Sequence, residues 1–116
     1  MNNFKELNVW KEAIKLAGLV YELTNSFPSE EKFGICSQLQ RAVVSVSANI
    51  AEGAGRNNKG EFYHFLGIAR GSNSEVESLL YVSIEIGIVK EGEISELLEL
   101  LNKINNMLYK LQTTLK

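Results

Sequence analysis

The chain has 116 residues, 14 acidic and 12 basic side chains and a formal net charge of −2. This length suffices for one domain with a hydrophobic core, spanning residues 1–116, and is too short for two. An apolar content of 45% excludes a disordered chain, and the acidic balance excludes a protein coated in basic surface for nucleic acid.

The first predicted helix covers residues 5–25, in a chain whose single proline and many helix formers indicate an all-helical protein. Two neighbouring apolar stripes run along it, a wider arc than one partner helix needs. They consist of Leu7, Trp10, Ile14, Ala17, Tyr21 and of Val9, Ala13, Leu16, Val20, Leu23. Pro28 is the predicted stop, and Ser29 is the predicted N-cap of the next helix.

The second predicted helix covers residues 30–52 and ends at Gly53 and Gly55. Its apolar stripe predicts a core face, and Cys36 is interpreted as a small buried core residue. A second stripe mixes small and polar groups: Arg41, Ser45, Ala48, Asn49, Glu52 and Arg56. A solvated face usually carries long Lys and Glu side chains, so this stripe is interpreted as partly buried against a helix of the same chain or of another copy. The alternative is an ordinary amphipathic helix with a weakly polar outer face.

The third and fourth predicted helices cover residues 61–86 and 94–116, after short turns rich in turn formers. The predicted inner stripe of the third helix is Phe62, Phe65, Ala69, Ser72, Val76, Leu79 and Ser83. Because glycine inside a helix is unfavourable, Gly67 and Gly71 suggest a tight helix contact. Four helices with short connections predict an antiparallel up-down-up-down four-helix bundle.

A polar network is predicted where the second and third helices approach each other. We expect Arg41, Asn49, Glu52 and Glu75 to be buried or half-buried there, with Ser45 on the same face. Arg41 and Glu52 lie about three turns apart, so they cannot meet along one helix. Arg41 is therefore expected to pair with Glu75 or with a carboxylate of a neighbouring chain, because an unpaired buried charge is costly.

The inventory of catalytic groups is poor, since the chain contains one histidine, one cysteine and no aspartate. The one motif typical of a metal site is Glu61 followed three residues later by His64, and di-iron bundles need two such pairs. The sequence therefore predicts no enzyme activity, no cofactor, no metal and no small-molecule substrate. The alternative is a metal-dependent bundle enzyme with its site on a symmetry axis.

The predicted bundle is polarised in charge along its axis. One end collects six basic and four acidic side chains, whereas the other collects two basic and seven acidic ones. The candidate patch for nucleic acid or another acidic partner is Arg56, Lys59, Lys5 and Lys110. Binding there is expected to be weak and salt-sensitive and to use phosphate contacts without base reading. The alternative is a solvated turn with no partner.

Several motifs resemble one bacterial protein family over nearly the whole chain. They include residues 7–10 (LNVW), residues 49–53 (NIAEG), the pair Gly71 and Ser72, and Glu75. This order is similar to the four-helix-bundle proteins first noticed as products of intervening sequences within 23S rRNA genes. A related branch is the accessory protein of diversity-generating retroelements. The resemblance implies a homo-oligomer, typically a five-fold barrel of bundles, without enzyme activity. For the retroelement branch it implies binding of nucleic acid and of a reverse transcriptase through a basic surface.

The sequence departs from this family pattern at Gln40, where many members carry a second basic residue, at Ser47, where proline is frequent, and in its acidic charge. The leading expectation is therefore a non-catalytic homo-oligomeric scaffold or adaptor, with a pentamer favoured over a smaller ring. Nucleic acid or a nucleic-acid enzyme is a further expected partner. The alternatives are the metal-dependent enzyme and a nucleic-acid-binding accessory protein of a reverse transcriptase. The chain lacks an apolar run of about 20 residues and a signal-peptide pattern, which predicts a cytoplasmic protein without membrane contact.

Overall fold

Four α-helices form the fold in the structure, a computed structural model that describes residues 3–116. They are α1 (Asn8–Thr24), α2 (Ile35–Ala54), α3 (Lys59–Glu85) and α4 (Ser95–Thr113). Short 3-10 turns at Phe4–Glu6, Ser29–Glu31 and Glu91–Glu93 precede α1, α2 and α4. Each helix packs against the next in the chain, and α4 packs back against α1. The predicted all-α four-helix bundle is confirmed.

The start of α2 differs from the prediction. Residues 29–31 form a 3-10 turn whose N-cap is Pro28, so Ser29 is the first residue of this turn and not the N-cap of α2. Gly34 has a ψ of −115°, outside the helical range, so α2 begins only at Ile35. The helix also continues through Gly53 to Ala54 before the next turn. At that turn, the Asn58 side chain caps α3 by accepting the Glu61 backbone N–H at 2.9 Å.

The core is built from one face of each helix, with Phe62 the largest of its fully buried side chains. α1 contributes its second predicted stripe, including Val9, Leu16 and Val20. Ile14 and Tyr21, from its first stripe, stay exposed. The other members of that stripe, Leu7, Trp10 and Ala17, are half-buried and pack against the core, so only the outermost part of the apolar arc of α1 stays exposed.

The inner face of α3 is rotated relative to the predicted stripe. Phe65, Ser72 and Leu79 are only half-buried, and Leu66, Asn73 and Leu80 occupy the core. The reason is that α3 packs between two neighbours, α2 and α4, so that its buried arc extends towards both. Asn73 lies in the core, where its Nδ2 donates a 2.9 Å hydrogen bond to the Leu101 carbonyl of α4.

The tight contact of α2 and α3 comes from a different glycine than predicted. A Cβ built on Gly53 would lie 2.8 Å from the Phe65 Cβ and 3.0 Å from Cδ1 of Phe62. A Cβ at Gly71 would meet nothing within 4 Å, and one at Gly67 would meet α4, at 3.4 Å from Gln112 Nε2. The close approach of α2 and α3 therefore requires a residue without a side chain at Gly53, since real Cβ atoms almost never come this near one another.

Cys36 is half-buried and not in the core as predicted. It lies on the side of α2 next to the end of α1 and lines a surface cleft there. Within residues 3–116, no helix is both long and apolar enough to cross a membrane.

Candidate interaction surface

The outer side of α2 carries very little charge for an exposed helix. Among its 20 residues, only Arg41 and Glu52 are charged. Five of its positions are exposed: Gln38, Arg41, Val44, Ala48 and Glu52. Val44 is 45% exposed in the middle of this row. Such a composition is typical of a helix covered by another protein surface.

Exposed apolar side chains flank this row on both sides. Tyr21 of α1 and Val44 line one depression together with Arg41. Ile14 lies two turns before Tyr21 on α1, and Ile68 is exposed on α3. We call the exposed row of α2 and these flanking residues the α2 face: Gln38, Arg41, Val44, Ala48 and Glu52 with Ile14, Tyr21 and Ile68. Contiguous exposed apolar surface rimmed by polar groups marks an interaction site.

A small polar cluster joins α2 to α3 beneath this face. The Ser45 and Ser72 hydroxyls are hydrogen-bonded at 2.8 Å. The Asn49 amide donates to the Ser45 carbonyl at 2.8 Å and to its hydroxyl at 2.9 Å. The structure thus brings together two predicted site residues, Ser45 and Asn49. Their partner Ser72 lies on the predicted inner stripe of the third helix.

The other predicted members of the network are exposed in the single chain. Arg41 and Glu75 line the same depression with Ser45. Neither forms an ion pair with any of residues 3–116. Glu52 turns away from the network because its carboxylate bonds Arg56. The pairing of Arg41 with a carboxylate of a second copy stays a prediction.

Arg56 is engaged by two carboxylates at the turn between α2 and α3. Its Nη2 lies 2.8 Å from Glu52 Oε2, and its Nη1 lies 3.5 Å from Glu61 Oε2. The guanidinium also stacks on Phe65, 5.0 Å from the ring centre. The hydrogen bond to Glu52 raises the pKa of Arg56 above its ordinary value. Its charge is therefore balanced locally. The other cations of the predicted patch, Lys5, Lys59 and Lys110, are exposed and form no ion pair with any of residues 3–116.

A second polar cluster, which the sequence pattern did not predict, joins α3 to α4. Arg70 Nε donates to Asn105 Oδ1 at 3.3 Å, and its Nη1 donates to Gln112 Oε1 at 3.0 Å. Gln112 is only 5% exposed, and its Nε2 donates to the Tyr63 carbonyl at 3.0 Å. The signal in the sequence was Gln112 itself, which follows the buried Leu108 by four residues on the apolar stripe of α4.

His64 is exposed at the start of α3, where its ring meets Phe65 edge-on at 5.6 Å. Across residues 3–116, no three His, Cys, Asp or Glu side chains converge at a distance suited to a metal ion.

Fold and surface together define a helical-bundle protein whose candidate site is an interaction face. The family model described as 23S rRNA-intervening sequence protein matches residues 5–110. The chain belongs to this family, as its motifs predicted.

A crystal structure at 1.70 Å resolution has a similar fold. It is of a protein with unknown function from the S23 ribosomal protein family of Bacteroides thetaiotaomicron VPI-5482. The two share 23% sequence identity and a TM-score of 0.84, over 90% of this chain and 95% of the other. At this identity the likeness shows the fold alone. No curated protein matches the chain.

Proposed function

We propose that this chain is a non-catalytic scaffold or adaptor that works as a cyclic homo-oligomer assembled through the α2 face. The observation that carries the proposal is the exposed row of α2, in which Val44 and Ala48 stand where a solvated helix carries Lys and Glu. Burial of apolar surface contributes about 25 cal/mol per Å², so covering this face favours association. Closed cyclic symmetry is the usual way in which copies of one chain cover such a surface.

A pentamer is the proposed ring, with a smaller ring as the alternative. The five-fold arrangement rests on the resemblance to the family. The exposed apolar side chains of α1, α2 and α3 on the α2 face support association between copies. A scaffold of this kind would present repeated copies of its two ends to a partner such as a nucleic-acid enzyme.

Introducing a charge on the α2 face is expected to dissociate the oligomer. Val44→Lys places a second cation beside Tyr21 and Arg41, and desolvating an unpaired ammonium group is very unfavourable. Light scattering coupled to size-exclusion chromatography should show the parent as an oligomer and Val44→Lys as a monomer at micromolar concentration. The matched control is Asn102→Lys, which adds the same charge at an exposed position of α4 and should leave the mass unchanged. A monomeric parent would refute the proposal.

Arg41 should matter for assembly and little for the fold of one chain. Within the single chain Arg41 is exposed and unpaired among residues 3–116, so its loss should cost a monomer less than about 0.5 kcal/mol. If a carboxylate of the next copy pairs with it in a desolvated contact, Arg41→Ala should cost about 3–5 kcal/mol. Thermal melts over a hundredfold range of protein concentration should then show the largest difference in melting temperature between the variant and the parent at high concentration. A variant that assembles and melts like the parent removes Arg41 from the interface.

Nucleic acid is a second candidate partner, favoured by the lysines at the end of the bundle that carries the α2–α3 turn. Lys5, Lys59 and Lys110 lie near the start of α1, the start of α3 and the end of α4. Because Arg56 is already paired, we expect weak binding whose affinity falls steeply with salt. Titration of labelled RNA and DNA at low salt should show loss of binding on Lys59→Glu with Lys110→Glu. The control Lys90→Glu, at the opposite end, should bind like the parent. Equal binding by all variants would leave this end without a role.

A further inference from the structure

Five exposed positions follow one another, at steps of three and four residues, along the side of α3 that borders α2. We call them the α3 row: Ile68, Gly71, Glu75, Ser78 and Val82. Glu75 lines a depression with Arg41 and Ser45, which places the row next to α2. Ile68 and Val82 are 40% and 43% exposed, and Glu75 is the single charged residue of the row. The α3 row therefore continues the α2 face onto the next helix.

The outer side of α4 shows how a solvated helix face of this protein is composed. Its residues are spaced like those of the α3 row and are all exposed: Glu96, Glu99, Lys103, Asn106 and Lys110. Four of these five side chains are charged, against one of five in the α3 row. Charged side chains are typical of a helix face in water, whereas their depletion is typical of a face in contact with another protein surface. The α3 row has the composition of a covered face.

Contacts within the chain do not explain the glycine in the middle of the α3 row. A Cβ at Gly71 would meet nothing within 4 Å, although glycine inside a helix is less favourable than alanine. Gly53 differs, because a Cβ there would lie 2.8 Å from the Phe65 Cβ. Glycine allows a second backbone to approach closely. A surface packed on α3 from outside the chain therefore accounts for Gly71.

The α2 face and the α3 row together carry one unpaired charge of each sign. Arg41 and Glu75 are exposed, and neither forms an ion pair with any of residues 3–116. The other charged residue of these surfaces is Glu52, which is held by Arg56 at 2.8 Å. At steps of three and four residues along their helices, neither Arg41 nor Glu75 has a charged neighbour. The two charges are therefore not masked by others on the same helix faces.

This pair of opposite charges identifies the kind of partner that the surface fits. Nucleic acid, or any partner of one sign, would attract one of the two charges and repel the other. A second copy of the chain presents both signs on the same surface, so its carboxylate can pair with the guanidinium of the first. The complementarity favours a second copy as the occupant.

We infer that Arg41 of one copy binds the Glu75 carboxylate of an adjoining copy, with the α2 face and the α3 row packed around the pair. This inference rests on the proposed homo-oligomer and names the carboxylate that its interface supplies to Arg41. A guanidinium binds a carboxylate through two parallel N–H···O hydrogen bonds, which fixes the orientation of the two surfaces. The apolar side chains of both surfaces exclude water from the pair, which strengthens these hydrogen bonds.

Exchanging the two charges tests the contact. Arg41→Glu and Glu75→Arg each bring like charges together, so each variant alone should associate at least about ten-fold more weakly in a light-scattering dilution series. An equimolar mixture of the two variants, one of them tagged to change its mass, should form assemblies that contain both chains. The reason is that each chain then meets the opposite charge on the other. The double variant, with both changes in one chain, should associate like the parent.

The matched control is Glu77→Arg, which makes the same change two residues further along α3. Glu77 lies in the row of Arg70, which bonds Asn105, and so on the side of α3 that borders α4. This variant should associate like the parent. An equal loss at Glu77 and Glu75 would trace the effect to net charge and contradict the contact. All variants should keep the helical circular dichroism signal of the parent, because the changed side chains are exposed.

The contrary outcomes separate this contact from the proposed function. An oligomeric parent whose Glu75→Arg variant assembles unchanged leaves the proposed function intact and removes the contact. A double variant that associates while the mixture does not would show that Arg41 and Glu75 pair within their own chain, which overturns the inference. A monomeric parent refutes the proposed function together with the inference.

Discussion

Gly53→Val is expected to lower the free energy of unfolding by about 3 kcal/mol. The backbone of α2 at Gly53 lies so near α3 that even a Cβ would be 2.8 Å from the Phe65 Cβ. Both Phe65 and Phe62 are held in a packed region, so α2 and α3 would have to separate along their shared contact. Gly53→Ala should cost less, because alanine regains about 1 kcal/mol of helix propensity. Urea unfolding followed by circular dichroism at one protein concentration measures both changes.

Gly18→Ala is the matched control for Gly53→Ala. Gly18 is also inside a helix, but nothing lies within 4 Å of its potential Cβ. Its replacement should therefore raise the free energy of unfolding by about 0.5–1 kcal/mol. Opposite signs of the change in the free energy of unfolding at Gly53 and Gly18 would distinguish the cost of close packing from the gain in helix propensity. If Gly53→Val unfolds like the parent, the two helices do not need this close approach.

Arg70→Met is expected to destabilise the chain by about 2–3 kcal/mol, the second large effect. The guanidinium holds Asn105 and the buried Gln112 at once, at 3.3 and 3.0 Å. Methionine keeps most of the apolar stem and leaves the buried Gln112 oxygen without this donor. Arg70→Lys should recover only part of the loss, because one ammonium group cannot match the two-armed geometry of the guanidinium.

Lys103→Met is the control for the loss of a cation between helices. Lys103 contacts Glu12 at 3.2 Å across α4 and α1, but its side chain is 58% exposed. Exposed ion pairs contribute little, so we expect a change within about 0.5 kcal/mol. Denaturant titrations of the three variants and the parent provide the comparison. If Arg70→Met and Lys103→Met lower the free energy of unfolding equally, the buried amide of Gln112 does not make the Arg70 cluster stabilising.

The sequence by itself determined the helices, their order and the family. The period of the apolar residues and the placement of turn formers act locally, so four helices with short connections followed from the chain alone. The wide apolar arc of α1, which includes Leu16 and Val20, followed for the same reason. The family motifs around Asn49 and Glu52 could also be identified from the sequence, because they are properties of residue order.

Only the tertiary structure decided which side chains meet. A helical pattern gives the face on which a residue lies, but the rotation of each helix depends on all of its neighbours at once. That rotation moved Asn73 into the core and left Phe65 at its edge. It also directed Glu52 to Arg56 instead of to the cluster of Ser45, Asn49 and Ser72. Gly53 is the plainest case, because a glycine near a helix end usually signals a stop. Here it allows close contact with α3, a role that depends on a second helix which local residue order does not place.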